Sequence, residues 1–124
     1  MKIREAILEP MMTHLLRLCQ QELQLNELPP IKLINHKPAL KSGDKNSFGE
    51  FDGTTIYVVT TDRHPMDVMR TLAHELTHWK QRISGMEMNG EDGSDIENQA
   101  NSVAGVILRK FGEKYPEYFM KSLP

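Results

Sequence analysis

Apolar residues recur at helical spacing in three long segments of the chain. The first segment, residues 3 to 25, has an apolar stripe made of Leu8, Met12, Leu15, Cys19 and Leu23. This period predicts an amphipathic helix, and Pro10 inside it predicts either a kink or the start of the main helical part. His14 lies off the stripe, so we expect it on the surface.

The second helical segment lies between Pro65 and Gly85, with an apolar stripe of Val68, Leu72, Leu76, Trp79 and Ile83. Proline suits a first helical position because its missing N–H is not needed there. Asp62 is a candidate for the helix cap, and Gly85 suits the position just past the end. The segment is therefore predicted to be a helix with one face in the core.

The third helical segment begins near Ser94, and its apolar face consists of Ile96, Ala100, Val103, Ile107 and Phe111. A last short helix is predicted from Tyr115, after Gly112. Together with the other two segments, these helices account for more than half of the chain.

Strand patterns fall between the first two helices. Residues 31 to 36 predict a short strand, and residues 48 to 60 predict a hairpin. Asp52-Gly53 favours a two-residue type I′ turn, which would place Phe51, Ile56 and Val58 on one face. The predicted fold is α+β: an N-terminal helix, a small, mostly antiparallel three-stranded sheet, and two further long helices.

Composition narrows the class of protein. With 124 residues, the chain is predicted to form a single domain over residues 1–124. The net charge of −2 argues against a nucleic-acid binder. One cysteine allows no intrachain disulfide, and no apolar run is long enough for a signal peptide or a membrane span. We therefore expect a cytoplasmic protein without nucleic-acid or membrane partners, of unassigned oligomeric state.

The second helix carries the candidate chemistry, His74-Glu75-Leu76-Thr77-His78. Residues four apart lie on the same face of a helix, so both imidazoles can bind one metal ion. Glu75 can then act as a general base on a metal-bound water. The alternative is an ordinary helix with two surface histidines, which gives Glu75 no chemical role.

Glu97 on the third helix is the predicted third ligand, with Asn101 one turn later as an outer partner of a ligating histidine. A carboxylate from a second helix would complete a His₂Glu site. Two alternatives stay open: Glu97 could form a capping box with Ser94, and Asp95 could be the ligand instead.

His74-Glu75-Leu76-Thr77-His78, followed after a spacer by Glu97 and Asn101, resembles the gluzincin metallopeptidases. The ligand order is similar to that of the thermolysin-like branch, and the compact size resembles the SprT-like and ImmA-like domains. Two departures stand out. Thermolysin-like enzymes have an aspartate where this chain has Asn101, and the paired cysteines of a SprT-like zinc ribbon are missing.

The resemblance implies a zinc-dependent peptidase, more readily an endopeptidase than an exopeptidase, with one Zn²⁺ and a peptide or protein substrate. It also implies a substrate-binding edge strand, for which Phe48, Gly49 and Glu50 are the candidates. Tyr115 or Tyr118 is a candidate donor to the oxyanion. A purely structural hairpin and simple packing of the tyrosines are the alternatives.

Two other functional classes stay open. The first is a non-catalytic, zinc-stabilised interaction module that uses the hairpin edge, and the second is a metal-free interaction domain. Lys41 and Lys45 are expected to be solvated charges, and contact with acidic substrates is the alternative. Residues 85 to 94 are a candidate lid or part of the specificity wall.

Overall fold

The computed structural model of the chain describes residues 2–34, 48–85 and 95–120. Predictions made for Lys41, Lys45, Ser94 and most of the 85–94 loop lie outside these ranges. No helix within them is both long and apolar enough to cross a bilayer.

Four helices are described: α1 (Lys2–Leu23), α2 (Pro65–Ile83), α3 (Asp95–Lys114) and the short α4 (Glu117–Met120). Pro10 lies within α1, which continues on both sides of it. Gln24, with φ of 54°, ends this helix. The predicted helices are therefore present, with boundaries within one or two residues of those expected.

Three strands form one small sheet: β1 (Ile31–Ile34), β2 (Gly49–Phe51) and β3 (Ile56–Val59), in the order β1-β3-β2. β2 pairs antiparallel with β3, but β1 pairs parallel with it. The α+β class is confirmed, and the sheet is mixed rather than mostly antiparallel. Because β2 intervenes in sequence, β1 can take the far side of β3 and run in the same direction.

The hairpin loop is longer than predicted. Phe51 pairs with Ile56, so four residues, 52 to 55, form the connection. The Asp52 carboxylate accepts hydrogen bonds from the backbone N–H groups of Thr54 (2.9 Å) and Thr55 (2.8 Å). The prediction of a type I′ turn was wrong, because an aspartate side chain can stabilise a wider turn by accepting hydrogen bonds from the backbone. The predicted facing of Phe51 and Ile56 agrees with their pairing.

The ends of α2 are set by a histidine and a glycine. His64 is the N-cap, because its Nδ1 accepts a hydrogen bond from the Met66 N–H at 3.0 Å, so Asp62 is not the cap. At the other end Gly85 has φ of 83°, which suits a residue without Cβ. The predicted stop is therefore confirmed.

The core lies between the sheet, α1, α2 and α3. Its largest fully buried side chains come from all of these elements: Met11, Leu15, Ile56, Val58, Met69, Leu72, Leu76, Ile107 and Phe111. Ile83, predicted to face this core, is 53% exposed, whereas Met69 and Ala73 are buried. The buried part of α2 is thus wider than the predicted stripe, and it includes His78 and Gln81.

Candidate metal centre

Two histidine side chains on α2 lie close together where α2 meets α3. The Nε2 atoms of His74 and His78 lie 3.2 Å apart, and the two rings are almost perpendicular, at 87°. The spacing of four residues explains this geometry, because one helical turn separates the two side chains on the same face. His78 is buried and His74 is half-buried.

Glu97, in the first turn of α3, completes the cluster. One carboxylate oxygen, Oε2, lies 2.9 Å from Nε2 of His78, and the other, Oε1, lies 3.3 Å from Nε2 of His74. The candidate ligand atoms of the three residues all lie within 4.8 Å of one another, so the group could hold a metal ion. The structure therefore brings together the three predicted ligands from two helices.

Glu75 lies beside the cluster and is only 7% exposed. Burial raises its pKa to about 8, and the negative charges of Glu97 and Glu50 add to this rise. A carboxyl group in this position is protonated at neutral pH unless a cation lies nearby, because an opposite charge favours the ionised form. Its protonation is thus coupled to whatever occupies the space between the three ligands.

The pKa of His74 is lowered, first by burial and second by the neighbouring His78 ring. The charge of Glu97 and hydrogen bonds with Glu97 and Asn101 oppose this shift. Asn101 therefore lies at the position predicted for an outer partner, next to His74. A neutral imidazole is the form that binds metal, and the lowered pKa favours it.

His78 has a different hydrogen-bonding partner, Gln81. The sequence favoured a packing or hydrogen-bonding role for Gln81 over a catalytic one but did not identify His78 as its partner. The Gln81 side chain is buried, and its Oε1 lies 2.7 Å from Nδ1 of His78. The same amide donates from Nε2 to the carbonyl of Ile96 (3.0 Å) and to Oε1 of Gln99 (2.7 Å). Its position three residues after His78 puts it on the histidine face, which is the signal that could have identified it.

The edge strand β2 passes directly over α2 at Glu75. A Cβ added to Gly49 would lie 2.5 Å from Cγ2 of Thr71 and 3.2 Å from Oε2 of Glu75. Only glycine allows this approach without displacement of the Thr71 side chain. Of the candidate strand residues, Gly49 is therefore adjacent to Glu75, and the charge of Glu50 contributes to the raised pKa of Glu75.

Arg63 contacts both the residue that precedes this strand and α2. Its guanidinium group lies 4.3 Å from the centre of the Phe48 ring and donates to Oγ1 of Thr71 at 2.7 Å. It also donates to the backbone carbonyl of Val59 at 2.9 Å. These contacts fix the position of the start of β2 relative to the middle of α2.

The two candidate oxyanion donors lie elsewhere. Tyr115 follows α3, and at 1.5 Å per residue it is roughly 25 Å along the helix from Glu97. Its ring stacks on His14 with centroids 4.3 Å apart, and the Tyr118 hydroxyl lies 3.0 Å from Nδ1 of His14. Neither tyrosine can serve the cluster in this fold, so that prediction was wrong.

Comparison of the chain with protein-family models, with curated proteins and with solved structures finds no match.

Proposed function

We propose that this protein is a zinc-dependent peptidase whose metal is held by His74, His78 and Glu97. The observation that carries the proposal is the convergence of two imidazole nitrogens and a carboxylate on one point, with Glu75 buried beside it. A structural histidine pair would not need a second, buried carboxyl group at that place.

The donor set suits zinc. Two imidazole nitrogens and one carboxylate oxygen are a common ligand set for catalytic Zn²⁺, and three protein ligands leave a fourth position for water or substrate. A divalent cation would also offset the negative charge of Glu97 and favour the ionised form of Glu75. The clustering of carboxyl groups around the histidines is then electrostatically favourable.

When bound, zinc supplies a Lewis acid that lowers the pKa of a water molecule and polarises a carbonyl group. Glu75 would take up the proton of the attacking water and later pass it to the leaving amine, as a general base and then a general acid. Its burial excludes bulk water from this transfer. His74 and His78 stay neutral throughout, because only the neutral imidazole can be a ligand.

The substrate we propose is an extended peptide segment alongside β2. This strand is at the edge of the sheet, and Gly49 lies against Glu75. A peptide added to this edge by strand pairing would run past the general base. Such recognition relies on backbone groups, so we expect broad side-chain tolerance and cleavage of flexible segments in preference to folded regions.

The decisive experiment combines elemental analysis of tag-free protein with digestion of a peptide library. Wild type is expected to contain about one zinc per chain and to cleave extended peptides, whereas Glu75→Gln should retain zinc and lose cleavage. Equal cleavage by both proteins would refute the role of Glu75, and wild type without metal would refute the site.

Acid pH should release the metal and stop cleavage, because protonated histidines cannot be ligands. The pKa of His74 is lowered from its ordinary value of 6.5. We therefore expect the metal to be lost only below about pH 6.5. Zinc retention across a pH series measures this directly.

The second candidate is a non-catalytic module in which zinc joins α2 to α3 and β2 binds a partner strand. It is favoured by the position of Tyr115 and Tyr118, because these two candidate oxyanion donors contact His14 and not the metal cluster. Zinc that is fully bound by protein, together with no cleavage of any library peptide, would support this function.

A further inference from the structure

We propose that Gln81 is a positioning residue that sets the tautomer of His78 and joins it to the first turn of α3. Its effect on metal affinity rests on the proposed metal site, but its effect on the histidine does not.

The orientation of the Gln81 amide follows from its neighbours. One end of the amide faces the backbone carbonyl of Ile96 at 3.0 Å. A carbonyl oxygen only accepts hydrogen bonds, so this end must be the NH₂ group. The second N–H is then directed to Oε1 of Gln99 at 2.7 Å. A flipped amide would place oxygen against the Ile96 carbonyl, which is unfavourable.

The orientation of the amide determines the proton on His78. With its NH₂ group turned to α3, the Gln81 oxygen faces Nδ1 of His78 at 2.7 Å. An oxygen acceptor at this distance requires Nδ1 to carry the proton. In a neutral ring the lone pair is then on Nε2, which is the nitrogen that lies 2.9 Å from Glu97. A backbone carbonyl of α3 thus selects the metal-binding form of a histidine on α2.

The Gln81 amide also connects the two histidines on α2 with the segment of α3 that carries Glu97. Ile96 precedes Glu97, and its carbonyl is held by the residue that orients His78. A shift of α3 would break the bond to Ile96 and release the constraint on His78. Gln81 is fully satisfied and only 2% exposed, so water cannot easily replace it.

The first test is the tautomer of His78 in the metal-free, full-length chain carrying Glu97→Ala, which removes the carboxylate 2.9 Å from Nε2 that would otherwise attract a proton there. Long-range ¹H–¹⁵N correlation spectra of ¹⁵N-histidine-labelled protein, at mildly alkaline pH, distinguish the two neutral forms. With Gln81 intact, His78 should carry its proton on Nδ1, and addition of Gln81→Met should shift the population towards Nε2–H. A His78 protonated on Nε2 while Gln81 is intact would overturn the proposal.

Two variants separate the parts of the role. Gln81→Glu still offers an oxygen to Nδ1 in either protonation state, so it should keep the Nδ1–H tautomer. It loses one of the two donors to α3 when its carboxyl group is protonated and both when it is ionised. Gln99→Ala removes a single acceptor from the amide and leaves Ile96 in place, so it should change His78 little. An equal loss of the tautomer in all three variants would indicate general disruption and contradict the proposal.

Zinc titration of the same Gln81 and Gln99 variants, with Glu97 intact, gives the second readout. We expect Gln81→Met to bind zinc roughly 10–100-fold more weakly than wild type, which is the usual effect of losing an outer partner of a histidine ligand. Gln81→Glu should lie closer to wild type. Unchanged affinity in Gln81→Met, with a wild-type protein that binds zinc, would overturn the role. A wild type that binds no zinc would instead refute the metal site, while the tautomer result would still decide the role of Gln81.

Discussion

Two histidine clusters occupy distant parts of this fold, and they differ in what surrounds the rings. Near the end of α3, His14 stacks on Tyr115 at 4.3 Å with a 13° tilt, and its Nδ1 meets the Tyr118 hydroxyl at 3.0 Å. At the beginning of α3, two imidazole nitrogens meet the two oxygens of the Glu97 carboxylate.

The comparison shows that burial alone does not identify a functional histidine. His14 and His74 are both half-buried. A hydroxyl group can donate or accept, so the Tyr118 hydroxyl can form a hydrogen bond with Nδ1 of His14 whether or not that nitrogen carries a proton. Imidazole nitrogens that converge on a carboxylate, beside a second buried carboxyl group, require a proton or a cation between them.

The largest difference should appear when a histidine is removed from each cluster. His78→Ala is expected to lower zinc affinity by more than the roughly 10–100-fold that loss of an outer partner costs, because a ligand is deleted. His14→Ala is the matched control and should retain wild-type zinc content. Elemental analysis and zinc titration measure both proteins, and a zinc-replete His78→Ala would place the metal elsewhere.

The second prediction concerns the charge of Glu75 in metal-free protein. Its pKa is raised to about 8, so the folded protein favours the protonated carboxyl group. The contribution of this group to the free energy of unfolding is fully present below pH 4.5, which is its pKa in the unfolded chain. That stability is lost as the pH rises through about 8. Wild type and Glu75→Gln should therefore be similarly stable at acid pH, and wild type should become less stable by a few kcal/mol above pH 8.

Urea unfolding of both metal-free proteins across a pH series tests this expectation. The informative quantity is the difference in the free energy of unfolding between the two, because groups that do not interact with Glu75 titrate equally in both. A difference that does not change with pH would show that Glu75 is not held in its neutral form.

The third prediction tests how closely β2 approaches the metal helix. Gly49→Ala should destabilise the protein by about 1–3 kcal/mol, because its Cβ would overlap Thr71 and press on Glu75. Gly105→Ala, in α3, is the control: a Cβ there meets nothing within 4 Å, and we expect stabilisation of about 0.5–1 kcal/mol. Thermal unfolding of the two variants measures both effects. A Gly49→Ala variant as stable as wild type would mean that the strand lies farther from α2.

The smallest effect is expected at the aromatic cluster. Tyr118→Phe removes the hydroxyl partner of His14 and keeps the ring, so it should cost about 0.5–1.5 kcal/mol, as for a typical hydrogen bond. Zinc content and cleavage should match wild type. Altered metal affinity in this variant would show that the two clusters are coupled through α3.

Local patterns predicted a large part of this structure. The helical spacing located α1, α2 and α3, and the α+β class is confirmed. The hairpin was placed correctly, yet its loop was not, because the Asp52 side chain bonds two backbone N–H groups and stabilises a wider turn. The cap of α2 was missed for a similar reason, since His64 uses a ring nitrogen as the acceptor.

The sequence by itself determined that His74, Glu75 and His78 lie together, because four residues make about one helical turn whatever surrounds them. Only the tertiary structure decided that Glu97 reaches both rings, that Gln81 holds His78, and that Tyr115 is remote. Those contacts depend on the register between helices, and a slide of α3 by one turn would move Glu97 about 5.4 Å. That register is set by core packing among residues distant in sequence, which local periodicity does not encode.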